Sequence, residues 1–214
     1  NKAFGRHTYD DNSPLVNNEP IFDIASLTKV VATVPIVMKL ISQKKISLDQ
    51  TVEQFFPSFT GYEKEKVTLL HLLTHSSGIE GYIPFYLDDS INNRDDIINY
   101  ILHSKLKYSP GTKTEYSDLG FILLTAIIEK VSSSSVDKLS QKWIYNPLGM
   151  KTTQYTPLSS DRTSIAPTEI DSSFRKILVH GFVHDENTYI MGGVSGHAGI
   201  FSNAKDLAKY AQLW

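Results

Sequence analysis

One stretch constrains this chain more than any other: Phe22-Asp23-Ile24-Ala25-Ser26-Leu27-Thr28-Lys29, followed by an apolar run from Val30 to Ile41. A β-like segment leads directly into a helix over 26–43. Its apolar side chains go almost all the way round, so most of its sides must be covered by other parts of the chain. Pro35 costs the hydrogen bond to the Val31 carbonyl and predicts a bend there. Ser26 and Lys29 stand three apart at the head of this helix and share one face. A serine alone is a poor nucleophile, and an adjacent base makes it a useful one. The helix N-terminus adds free N–H groups and partial positive charge, which favour an oxyanion.

The spacing alone is weak. Ser-x-x-Lys occurs six times, starting at Ser26, Ser42, Ser104, Ser135, Ser173 and Ser202, and the plain reading of any copy is a solvated pair on a helix. Context separates the first. Only Ser26 follows a β-like segment with Asp23 as a candidate cap, and only Ser26 opens a long apolar helix. A lysine leading into such a helix loses water, which favours its use as a base.

The rest of the chain supplies the wrapping. With 214 residues and 41% hydrophobic content, it suits one large domain or two small ones with a real core. A net charge of −2 gives no electrostatic reason to expect nucleic acid or an anionic membrane as partner. The longest apolar run is interrupted by Thr33, Pro35 and Lys39, so no transmembrane segment is expected. Zero cysteines exclude disulfides, thiol catalysis and Cys-ligated metals, and fit an extracytoplasmic bacterial protein. No signal-peptide pattern occurs within these residues. The chain opens mid-strand and ends on an unfinished apolar helix, which predicts truncation at both ends.

Residues 2–9 and 14–24 read as extended segments around an Asp-Asp-Asn-Ser-Pro turn. After a connector at 46–61 come a short helix at 67–75, an aromatic covering loop at 79–93 and a surface helix at 94–104. A strongly apolar helix spans 119–131, and another runs roughly 135–145. Residues 151–177 read as mostly irregular, 176–183 as a strand, 191–199 as a glycine-rich turn, and a last helix starts near Asn203. Strand-like sequence at both ends around a helical middle predicts an α/β (α+β) fold. Its sheet-containing part comes from 1–45 and 176–214, with a mostly helical subdomain inserted over 46–175.

Three polar groupings have two readings each. Tyr116-Ser117-Asp118 sits at a loop-to-helix junction. There Tyr116 can share a proton with Lys29 and Ser26; in the plainer reading Asp118 caps the helix and Tyr116 packs on the surface. His71 and His75, like His180 and His184, have zinc-ligand spacing. The metalloprotease pattern needs a Glu after the first His, where Leu72 and Gly181 stand, so buried hydrogen-bonding histidines are the better reading. His197-Ala198-Gly199 is either an active-site edge strand or a tight turn.

Together these stretches resemble the serine β-lactamase and penicillin-binding protein superfamily, in particular its class C β-lactamase-like branch. Ser26-Leu27-Thr28-Lys29 resembles its Ser-x-x-Lys motif and Tyr116-Ser117-Asp118 its Tyr-x-Asn motif. Segments 71–78, 147–150 and 199–207 resemble further signature stretches, in the right order. The segment 181–187, followed by 192–201, is similar to the β-lactamase-like domain that some bacteria carry fused or adjacent to a β-N-acetylglucosaminidase.

The resemblance implies an antiparallel sheet flanked by helices. It implies Ser26, Lys29 and Tyr116 as catalytic residues, Asp118 and His197 as substrate-binding ones, and no metal or cofactor. It also implies a muropeptide or other small-molecule substrate, cut at the sugar–peptide amide or a D-alanyl bond, in the periplasm or cell envelope. Rival expectations are a carboxylesterase of the same fold and a penicillin-binding sensor without turnover. Asp118 departs from the family's usual Asn; a carboxylate there repels an anionic substrate and favours a protonated Lys29. His197-Ala198-Gly199 has the letters of the third motif, but a helix is expected to follow at once, which puts the true third motif beyond Trp214.

Overall fold

A computed structural model describes residues 2–17 and 19–214. Strand β1 (Phe22–Asp23) leads through a turn into a π-helical segment, Lys29–Thr33, which continues as helix α1 (Val34–Ser42). Pro35 lies in the first turn of α1, where a missing N–H is tolerated. Just before it, the Val34 N–H reaches back five residues to the Lys29 carbonyl. The disturbance expected from Pro35 therefore takes the form of a π-turn at the functional end of the helix.

Helices α2 (Leu69–Leu73), α3 (Arg94–His103) and α4 (Asp118–Ser132) follow. Then come α5 (Val136–Ser140), a π-turn at Gln141–Tyr145 and α6 (Asn146–Leu148). Helix α4 buries every residue from Leu119 to Ile128 and forms the centre of the core. Val31, Ala32, Ile36 and Leu40 pack in the same cluster, as do Leu69, Leu72, Ile97 and Ile101. None of the described helices is by itself long and apolar enough to cross a membrane.

The sheet joins the two ends of the chain. Strand β2 (Gln154–Tyr155) precedes the hairpin of β3 (Glu169–Asp171) and β4 (Ile177–Val179). Helix α7 (Glu186–Ile190), strand β5 (Ile200–Ser202) and helix α8 (Ala204–Ala211) complete the chain. Strand β5 is central, with β1 and β2 antiparallel on either side.

Three local expectations are corrected. Among the described residues of 2–9 and 14–24, strand pairing is limited to β1 and the isolated Arg6–Leu15 and Ile21–Ile165 bridges; the turn between the segments forms, with the Ser13 N–H on the Asp10 carbonyl. Residues 151–177 are mostly irregular and hold the short strands β2 and β3, of which β2 pairs with β5. The strand read over 176–183 is three residues long, and Gly181 beyond it turns at φ +76. After Gly199 the chain forms β5 before any helix starts, because β1 and β2 both need that partner.

Candidate active site

The site is built around the junction of β1 and α1. Ala25 turns the chain at φ +46, a conformation rare for a residue with a Cβ. Asp23 stabilises the turn rather than capping the helix: its carboxylate accepts from the Ala25 N–H at 2.8 Å and the His184 N–H at 2.7 Å. Burial pushes the Asp23 carboxyl pKa up, against the pull of those two donors. The N–H groups of Leu27, Thr28 and Lys29 are used within the turn, while that of Ser26 has no protein acceptor among the described residues. Ser26 itself is exposed.

Lys29 is buried at 3% exposure and its amine has three partners. They are Ser26 Oγ at 3.1 Å, Asp118 Oδ1 at 2.6 Å and the His197 carbonyl at 3.2 Å. The amine also lies 4.7 Å from the centre of the Tyr116 ring and 5.6 Å from that of Phe121. Residues 26, 29, 116 and 118, singled out from sequence, thus meet in one place. Ser26, Lys29, His75, Tyr116 and Phe121 line a cleft of about 470 Å³.

The cap of α4 is not Asp118. The Ser117 hydroxyl accepts from the Gly120 N–H and donates to the Glu80 carbonyl. Asp118 is the first helical residue, and its side chain is free to reach Lys29. Its N–H donates to the Gly81 carbonyl at 2.8 Å.

His75 was read only as a buried hydrogen-bonding histidine, and the structure gives that bond a place in the site. Its Nδ1 accepts from the Ser117 N–H at 3.0 Å, and its ring stacks 4.5 Å from Tyr116 and 5.1 Å from Phe121. Burial, then the charge of Lys29, push its pKa down, which keeps the ring neutral and Nδ1 an acceptor. His71 does a separate job, accepting the Thr68 N–H in the capping box of α2. His180 contacts the Arg162 and Ile165 carbonyls, and His184 faces Glu169 at 3.0 Å. No group of three potential metal ligands occurs among the described residues.

The His197 imidazole lies in the interior at 1% exposure. It meets the Ser195 hydroxyl at 2.8 Å, Asp185 at 3.0 Å and the Thr188 hydroxyl at 3.1 Å. Burial raises the Asp185 carboxyl, but the hydrogen bond and charge of His197, then Thr188, outweigh it and hold the carboxyl low. What His197 presents to the site is its backbone carbonyl, on Lys29. Neighbouring Gly196 is clamped between helices. Its carbonyl accepts from Thr33 Oγ1 at 2.7 Å and its N–H donates to Thr125 Oγ1 at 2.8 Å.

An antiparallel sheet made from both chain ends, a helical body between them, and a serine–lysine pair heading the central helix define the class: the serine β-lactamase and penicillin-binding protein superfamily. Residues 2–214 match the family model described as Beta-lactamase, and the chain belongs to that family. It is 35% identical to the N-acetylmuramyl-L-alanine amidase of Bacillus subtilis (strain 168), over 90% of this chain and 49% of the relative. It is 32% identical to a putative D-alanyl-D-alanine carboxypeptidase of Salmonella paratyphi B, over 99% of this chain and 56% of the relative. The chain therefore spans about half the length of these curated relatives. The octameric penicillin-binding protein homologue from Pyrococcus abyssi superposes with a TM-score of 0.72 at 28% identity, covering 94% of this chain and 46% of that one. A class C β-lactamase from Rhodobacter sphaeroides, 22% identical, shares the fold with a TM-score of 0.75 over 98% of this chain and 55% of that one.

Proposed function

We propose that the protein is a serine hydrolase that cuts peptidoglycan fragments through an acyl-enzyme. In the form of the enzyme whose Lys29 amine has released its proton to solvent, Ser26 Oγ attacks the carbonyl carbon and its proton passes across 3.1 Å to Lys29 Nζ, with Tyr116, whose ring centre is 4.7 Å from that amine, assisting. The ammonium so formed is held by Asp118 at 2.6 Å. The Ser26 N–H is a donor for the developing oxyanion. Lys29 then returns the proton to the leaving amine, and water releases the acyl group from Ser26. The observation that carries this reading is one buried amine bonded at once to the serine hydroxyl and a carboxylate.

The names of the Bacillus and Salmonella relatives support the sugar–peptide amide or a D-alanyl bond as the one cut. Such a substrate places the protein outside the cytoplasmic membrane. It also calls for a glycoside hydrolase that frees the fragments, fused to this protein or working beside it.

The test incubates the full-length protein and its Ser26→Ala variant with an N-acetylmuramoyl-peptide ending in D-alanine, with products read by mass spectrometry. Separation of sugar from peptide, lost in the variant, establishes an amidase. Release of D-alanine alone establishes a carboxypeptidase. No product, or equal product from the variant, refutes the proposal and moves the search to esters and to a sensor role.

A further inference from the structure

A run of aromatic rings lies where loop 79–93 meets α7. Tyr86 lies 5.0 Å from Phe174, Phe174 meets Tyr189 edge-on at 6.1 Å, and Tyr189 lies 5.7 Å from Phe182. Tyr82 extends the run: its hydroxyl lies near Tyr86 and Glu186, and burial, then these neighbours, raise its pKa well above the ordinary value. The Arg175 guanidinium sits 5.3–5.9 Å from the centres of Phe174, Phe182 and Tyr189. Asp171 holds it at 2.6 Å, with the Val183 and His184 carbonyls at 2.9 and 2.8 Å. These bonds fix the cation, and the cation fixes the rings.

The rings are rigid but not covered. Tyr82 and Tyr189 keep 46% and 42% of their surface exposed. Tyr189 and Phe182 also line a cleft of about 340 Å³ together with Gly192 and Gly193. Hydrogen bonds tie the shelf to the site. The Gly81 carbonyl, one residue before Tyr82, accepts from the Asp118 N–H. Asn187 of α7 donates to the Ile83 carbonyl at 2.8 Å, tying the loop to the helix. Asp185 bonds the imidazole of His197, whose carbonyl holds Lys29.

We propose that this aromatic shelf binds the N-acetylated sugar ring of the substrate. The proposal rests on the peptidoglycan reading and deepens it by saying where the sugar goes. The face of an aromatic ring is electronegative and suits the polarised C–H face of a pyranose. The tyrosine hydroxyls and Glu186, beside Tyr82, offer acceptors for sugar hydroxyl and N-acetyl N–H donors. The Glu186 carboxylate repels a terminal carboxylate but not a neutral sugar. Preformed stacked rings lose little conformational freedom when a ligand lands on them. The sugar therefore lies on the loop 79–93 side, with its linkage to the peptide directed to Ser26.

The test titrates the full-length protein with diacetylchitobiose, an uncharged N-acetylated disaccharide, and separately with a stem peptide lacking sugar, using calorimetry. Tyr82→Ala and Tyr189→Ala each weaken chitobiose binding about tenfold and leave peptide binding unchanged. Tyr82→Phe and Tyr189→Phe stay within about twofold of wild type, since the ring face remains. Among the described residues Tyr82 makes no ring contact with the stack, so its variants remain readable if Tyr189→Ala unfolds the shelf; melting temperatures identify that case. No chitobiose binding by the wild type, or unchanged binding in Tyr82→Ala, overturns the proposal. So does equal loss of peptide binding. Binding is read without turnover. A protein that cuts muropeptides yet ignores chitobiose refutes the shelf alone; one that binds chitobiose through the shelf and cuts nothing refutes the hydrolase reading alone.

Discussion

The Lys29–Asp118 pair offers a quantitative test of the site. The two side chains are 4% and 18% exposed, and their charged atoms are 2.6 Å apart. At this burial the attraction is offset by the cost of taking both charges out of water, so the pair adds little net stability. Breaking it from one side is different. Lys29→Met strands the Asp118 carboxylate and is expected to cost about 3 kcal/mol, the low end for such pairs because Asp118 keeps some water. Asp118→Asn keeps an acceptor for the amine but removes its counter-charge, for a loss of about 2 kcal/mol. The double variant has neither charge and loses no more than the worse single one, giving a coupling of about 2 kcal/mol. Urea denaturation of the full-length wild type, both single variants and the double variant measures it. A coupling under about 0.5 kcal/mol, the scatter of independent sites, refutes the claim that these residues form one buried unit.

Other outcomes follow from individual contacts. His75→Ala removes the acceptor for the Ser117 N–H and the stacking partner of Tyr116; kcat is expected to fall about tenfold, with His75→Asn retaining more activity. Since the pKa of His75 is depressed, its neutral form is secure above the ordinary histidine value of about 6.5 and is lost as pH falls through the lower folded value, where Nδ1 becomes a donor. Wild-type activity should show an acid limb below pH ~6.5 that is absent in His75→Asn; identical profiles contradict the assignment. Gly196→Ala places a Cβ 2.2 Å from Thr125 Oγ1 and 2.5 Å from Thr33 Oγ1. It is expected to destabilise by about 2–4 kcal/mol, and an unchanged melting temperature is evidence against that packing.

The pairing of Ser26 with Lys29 was legible because helical periodicity alone puts positions three apart on one face. The strongly apolar run from Leu119 likewise announced the core helix α4. Other features depended on distant partners. Ser117 and Asp118 are both good helix caps, and sequence does not choose between them; the choice follows from Lys29, 89 residues away, which engages the Asp118 side chain. Strand β2 is two residues long and exists because β5 pairs with it, so it leaves no periodic trace. The glycine-rich stretch read as a turn is in part a close approach between helices. A signal for that was present in Thr33 and Thr125, polar residues set within the apolar stretches 30–38 and 119–128, each of which needs a buried partner and finds it at Gly196. His75 lacked any such marker, since its bond to Ser117 spans 42 residues.

The central claim is that Ser26 is an activated nucleophile. A fluorophosphonate, which reacts with such serines, followed by peptide mass spectrometry of the full-length protein, tests it most directly. The account predicts a single adduct on the peptide containing Ser26, absent from the Ser26→Ala variant and strongly slowed in Lys29→Met. An unlabelled Ser26, or labelling that persists in Ser26→Ala at the same rate, contradicts it.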